Sequence, residues 1–150
     1  LLRKKIKNKH TAPFIDDFVI KPEYIAEVMP QINKIIQRHK NFIYTVAGHV
    51  GDGNFHIIPL VNITKKSIRD AIPQISKDVY ELIIKYGGSI TGEHNDGLVR
   101  TPYLRQMYGA KMYELFEKTK EIFDPENIFN PRKKVGVTMD YSMQHLRMHW

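Results

Sequence analysis

Residues 42–61 read FIYTVAGHVGDGNFHIIPLV. Gly48, Gly51, Asp52, Gly53 and Asn54 form a turn-rich centre, and both arms around it are β-branched and aromatic. Such arms on either side of residues that accept positive φ read as a β-hairpin. His49 and His56 flank the turn. If they oppose each other across the hairpin, their Cβ atoms lie roughly 4.5–5.5 Å apart on one face of the sheet. That is close enough for two imidazoles to share one metal ion. A second polar cluster, Gly92-Glu93-His94-Asn95-Asp96-Gly97, has the same character.

Working outward, Phe14 to Ile20 reads as a strand. Pro22 opens a helix in whose first turn its missing N–H costs nothing. Ile25, Val28, Ile32, Ile35 and Ile36 recur at helical spacing up to about His39, and Pro30 should kink this helix. After the hairpin, Thr64 is placed as the N-cap of a second helix running to Tyr86. Its stripe is Ile68, Ile72, Ile75, Val79, Leu82 and Ile83, with Pro73 interrupting it early and Gly87-Gly88 as its stop. Ser89 to Thr91 is a short strand that delivers the second cluster. The order strand, helix, strand, strand, helix, strand is that of an α+β, ferredoxin-like βαββαβ unit: an antiparallel sheet with both helices on one face. A C-terminal helical extension follows. Leu1 to Lys9 reads as the end of a helix, Thr101 to Tyr108 as a helical turn, Lys111 to Phe123 as a third helix and Asp124 to Asn127 as a turn. Ile128 to Pro131 reads as extended, and residues 137–150 as a tail or linker.

The chain has 150 residues, 42% of them hydrophobic and 26% charged, enough for one domain with a real core over residues 1–136. No run approaches about 18 apolar residues, so no membrane-spanning helix is expected. The absence of Cys excludes disulfides, thiolate metal sites and a Cys nucleophile, and it fits a reducing compartment. A cytoplasmic location is expected, with peripheral contact to a membrane as its variant. The first residue is Leu1 rather than Met, so a piece of a longer protein is expected. The net charge of +7 comes from scattered lysines and small groups such as Arg132-Lys133-Lys134, which reads as a solvated surface.

His49, His56 and Glu93 make a candidate metal site. Two imidazoles and a carboxylate suit Zn²⁺, Mn²⁺ or Fe²⁺ and leave positions open for a substrate. The plainer alternative is a pair of turn-flanking histidines bonded to backbone. His94 can act as a general base, or as a fourth ligand or a partner of the ligands. Asp52 and Asp96 read as turn residues. The glycine spacing is no dinucleotide fingerprint, because no helix follows it.

Three stretches carry a resemblance: GHVGDGNFH, GGSITGEHNDG and FDPENIFNPRK at 123–133. Together they resemble the C-terminal domain of the FAD-linked oxidases, a family that includes D-lactate dehydrogenases, the glycolate oxidase flavoprotein subunit and D-2-hydroxyglutarate dehydrogenase. The stretch Glu93 to Gly109 is most similar to long members fused to an iron–sulfur domain. The resemblance implies a substrate- and metal-binding cap on a flavoenzyme that oxidises a D-2-hydroxy acid of the D-lactate or glycolate type to a 2-oxo acid by hydride transfer to FAD. It implies metal ligation by His49, His56 and Glu93, proton removal by His94, substrate carboxylate binding by Arg3, and flavin contacts from Asn130 and Asn54. FAD itself is implied to bind mainly to a separate N-terminal domain, so the 150 residues alone are expected to be inactive. An iron–sulfur domain is the implied electron acceptor, and no nucleic acid is expected. Four positions depart from the pattern: Asn95 and Arg132 stand where most members have Gly. Ile58 and Ile15 stand where the hydroxyglutarate enzymes carry a substrate-binding Asn and a Lys, which argues against a second bound carboxylate. Two other readings compete, a non-catalytic ferredoxin-like scaffold and an RNA-binding module. The latter needs paired aromatics on the central strands, where only Phe55 and His56 could serve.

Overall fold

A computed structural model describes residues 5–39 and 42–148. The chain divides into two compact units, Leu1–His94 with Met148–Trp150, and Asn95–Arg147.

The first unit is built on an antiparallel sheet. Its strands are β1 (Lys5–Ile6), β2 (Lys9–Thr11), β3 (Ile15–Val19), β4 (Ile43–Ala47) and β5 (Asn54–Val61). β5 is the hub. β4 pairs along one edge of it, while β3 and β2 pair in succession along the other. On the far side of β3, Val19 makes a single antiparallel bridge to Ser89. The lateral order Ser89, β3, β5, β4 is that of a split βαβ unit, with the fourth strand reduced to one bridge. The fold is therefore α+β and ferredoxin-like. The helices are α1 (Ile25–Gln37) and α2 (Lys66–Lys85). They pack on each other, and α2 packs on β3. Their buried stripes are Val28, Ile32, Ile35 and Ile36 on α1, and Ile68, Ile72, Ile75, Val79, Tyr80 and Ile83 on α2. Phe18 stacks on Phe55 with ring centroids 5.7 Å apart, and Tyr80 anchors its hydroxyl to the carbonyl of Phe14 at 2.9 Å.

Several local expectations change. Residues 5–11 are not the end of a helix but a small hairpin, reversed at Lys7, whose φ is 54°. Their lysines favour a helix weakly, and pairing of His10 and Thr11 with Val61 and Leu60 overrides that preference. Pro73, expected to interrupt α2 early, sits inside a continuous helix of 20 residues. Thr64 does not cap α2, which starts after Lys65. Instead the Thr64 hydroxyl and amide donate to Asn62 Oδ1. The stop at Gly87-Gly88 holds in detail. Gly88 N–H donates to Ile83 O and Gly87 N–H to Ile84 O, with Gly87 at φ 67°, which is a Schellman closure.

The second unit holds α3 (Gly97–Arg100), α4 (Leu104–Phe123) and α5 (Met139–Gln144). Gly109, at φ 76°, breaks α4 into the two helical pieces expected. Residues 128–131 are not extended. Asp124 accepts from the amides of Ile128 and Phe129 at 2.9 Å each, and positive φ at Asn127, Asn130, Arg132 and Lys134 coils the segment around it. Residues 139–144 form a short helix where only a tail was expected. Thr138 caps it, accepting from Tyr141 N–H.

Candidate functional site

A register shift in the pairing of β3 with β5 builds the site. Ile15 pairs with Ile57 and Phe18 with Phe55, so Asp16 and Asp17 together face the single residue His56. This is a β-bulge, and Asp17 takes a left-handed φ of 68° within it. In a regular strand two neighbouring acids would point to opposite faces. The bulge lets both serve one place.

Asp17 holds the second polar cluster. Its oxygens accept from the amides of Gly92 (2.9 Å), Glu93 (3.0 Å) and His94 (2.8 Å), and from Asn54 Nδ2 (3.1 Å). Burial alone would raise its pKa. The Glu93, His94 and Gly92 amides and the Asn54 side chain outweigh that and lower it from 3.8 to about 2. Gly92 is required here: a Cβ would come within 2.7 Å of Asn54 Nδ2 and 2.8 Å of a Val19 methyl.

Asp16 holds the histidines. Its Oδ1 lies 2.9 Å from His56 Nδ1 and its Oδ2 3.3 Å from His94 Nδ1. The two imidazoles stack, with centroids 4.7 Å apart and planes 10° from parallel. Their other nitrogens meet Glu93: Oε1 lies 3.1 Å from His56 Nε2 and 3.0 Å from His94 Nε2. His49 Nε2 stands 3.6 Å from Glu93 Oε2. His49 and His56 are not direct opposites across the ladder. Pairing ends at Ala47 with His56, and Gly48 (φ 138°) leads His49 out of the sheet into the turn at Val50–Asp52. Their ring centroids are 6.3 Å apart. Gly53, at φ 71°, closes this turn, and any Cβ there would overlap the carbonyl of Ile20.

The structure therefore brings His49, His56, Glu93 and His94 together, with three Nε2 atoms around one carboxylate. Among the described residues, Asp17, His56, Glu93 and His94 each offer a ligand atom within 4.8 Å of the others. Asp17 is the weakest donor of that group, because N–H groups already fill its oxygens. Nitrogen from imidazoles plus one carboxylate is a donor set that fits Zn²⁺, Mn²⁺ or Fe²⁺.

The remaining residues singled out lie elsewhere. Arg3 falls outside the described residues. Asn54 is buried with 7% exposure. Its amide donates to Asp17 and to Phe18 O, and its Oδ1 has no hydrogen-bond partner among the described residues. Asn130 belongs to the second unit, where it is exposed and takes φ 45°. Asp96 is buried, starts α3 and pairs with Lys134. Sequence reasoning passed over Asp16 and Asp17. The available signal was a pair of adjacent acids inside the otherwise apolar strand FIDDFVI.

Known proteins resemble this chain along most of its length. It is 35% identical over 121 residues to D-2-hydroxyglutarate dehydrogenase of Haemophilus influenzae, covering 81% of this chain and 12% of the relative. Identity is 34% over 119 residues both to glycolate oxidase subunit GlcD of Bacillus subtilis and to D-lactate dehydrogenase of Archaeoglobus fulgidus. These matches cover 79% of this chain, and 25% and 26% of the respective relatives. The chain thus spans between about an eighth and a quarter of these relatives. Residues 2–134 match the family described as FAD linked oxidases, C-terminal domain, and the chain belongs to that family.

Proposed function

We propose that this chain is the substrate- and metal-binding part of an FAD-dependent dehydrogenase that oxidises a D-2-hydroxy acid of the D-lactate or glycolate type to its 2-oxo acid. The observation that carries the reading is the convergence of His49, His56 and His94 Nε2 on the Glu93 carboxylate. His49, His56 and Glu93 would hold a divalent ion, whose Lewis acidity favours loss of the substrate hydroxyl proton. FAD, bound chiefly by the rest of the enzyme, supplies the hydride acceptor. His94 receives the hydroxyl proton on Nε2, the nitrogen turned away from Asp16. The Asp17 knot holds the backbone of Gly92 to His94 still while this happens. Arg3 is assigned to the substrate carboxylate, and Asn130 and Asn54 to the flavin side. The flavin half of the enzyme and an iron–sulfur acceptor are the partners, in a cytoplasmic or membrane-peripheral setting.

Ile15 and Ile58 support a substrate with one carboxylate. Both are buried, so neither position offers a polar group to a second one. The aromatic that base stacking would need, Phe55, is 3% exposed and packed on Phe18, which weighs against RNA binding.

Calorimetric titration with Zn²⁺ tests the reading. One site per chain is expected, lost in Glu93→Ala and in His56→Ala. A wild-type chain that takes up neither Zn²⁺ nor Mn²⁺ overturns the metal assignment. In the whole flavoenzyme His94→Ala should lower the turnover of D-lactate or glycolate by about 10²–10⁴, and full activity would remove His94 from its role.

A further inference from the structure

We propose that Asp16 is a positioning residue that sets the tautomer of both stacked imidazoles, His56 and His94, and so aims both Nε2 lone pairs at the Glu93 side of the site. The inference rests on the metal reading above and extends it to a residue outside the ligand set.

Three observations carry it. A carboxylate can only accept, and Asp16 lies against Nδ1 of His56 at 2.9 Å and of His94 at 3.3 Å, using a different oxygen for each. Glu93 Oε1 stands 3.1 and 3.0 Å from the two Nε2 atoms and can accept there as well, so it is once Glu93 is taken up in binding an ion that each ring would keep a single proton, the one Asp16 holds on Nδ1, with its lone pair on Nε2. The rings are nearly parallel, so one carboxylate in their common edge plane serves both. The bulge supplies the position, because Asp16 and Asp17 jointly oppose His56. Asp16 is 7% exposed and His56 12%, so this contact is shielded from competing water. Glu93, at 46%, lies on the open side where a ligand enters. The result is a division of labour between two carboxylates. The buried one orients both rings, and the open one joins His56 in binding. Partners of this kind fix ring orientation and typically account for about 10–100-fold in metal affinity.

Asp16→Asn is the informative variant, because it keeps the shape of the side chain. Its carbonyl oxygen can accept from one Nδ1–H, but its NH₂ group must face the other ring and calls for a lone pair there. That ring then carries its proton on Nε2. Two readouts on the 150-residue chain test this: Zn²⁺ affinity by calorimetry, and nitrogen–proton correlation spectra of the histidine rings in the Zn²⁺-loaded chain. The wild type should show Nδ1–H on both His56 and His94. Asp16→Asn should lose one of these signals, with a native far-UV spectrum, and should bind Zn²⁺ about 10–100-fold more weakly where the ring affected is the ligand His56. A variant that binds Zn²⁺ as tightly as the wild type and keeps both signals overturns the inference while leaving the metal site standing. Absence of Zn²⁺ uptake by the wild type overturns both. Should the variant fail to fold, the wild-type spectrum decides, and an Nε2–H proton on either ring refutes the assignment.

Discussion

Asp17 sits at φ 68° inside a strand, fully buried, and three consecutive amides converge on it. Its strain and its burial both cost free energy, and the amide bonds of Gly92, Glu93 and His94 offset them. The sign of the pH effect follows from the folded pKa of about 2, which lies below the ordinary 3.8. A depressed acid contributes stability that is fully present above its unfolded pKa and is lost as pH falls through the folded one. The shift corresponds to about 2 kcal/mol, present at neutral pH and lost between about pH 4 and pH 2. Urea midpoints measured at pH 7, 4 and 2.5 should show that loss. Asp17→Asn should flatten this acid limb and lower stability at pH 7 by about 1–3 kcal/mol. An unchanged acid limb in the variant would show that another group titrates there.

At the scale of elements, the end of α2 is a clean test of local reading. Among the described residues, nothing beyond its chain neighbours lies within 4 Å of the place where a Gly87 Cβ would stand, so its φ of 67° is what penalises a side chain. Gly87→Ala should cost about 1 kcal/mol, and Gly87→Asn less, because Asn tolerates that region. Denaturant midpoints of the two variants give the comparison, and equal losses would point to packing instead. Much of this layer was legible in the sequence. The isoleucine stripes of α1 and α2, the Schellman stop and the arms of the β4–β5 hairpin are periodic or punctuated signals that neighbours carry within a few residues. The hairpin of residues 5–11 was not legible, since its pairing partner lies at Val61 and polar lysines carry no period. The bulge was not legible either, because a register shift depends on two strands and shows in neither alone. That is why His49, His56, Glu93 and His94, which the structure brings together, were singled out from their motifs, whereas Asp16 and Asp17, whose meaning depends on the bulge, were passed over.

At the scale of the molecule, the site is assembled from parts distant along the chain. Asp16 and His56 are 40 residues apart, and Asp17 and the amide of His94 are 77 apart. No short segment of an unfolded chain holds even two of the strand, hairpin and loop contributions in place. A ligand of the cluster therefore meets its site only in the folded chain, and its binding free energy adds to folding by mass action. At 100-fold excess over its dissociation constant the gain is about 2.7 kcal/mol, which for a chain of this size raises the melting temperature by about 5–10 °C. Zn²⁺ should produce that rise in the wild type, a chelator should reverse it, and Glu93→Ala should show none. A rise that persists in Glu93→Ala would place the ion elsewhere. The bulge at Asp16 and Asp17 thus turns a thermal melt into a gauge of occupancy, by which a change in the site can be weighed against a change in the scaffold before any substrate is known.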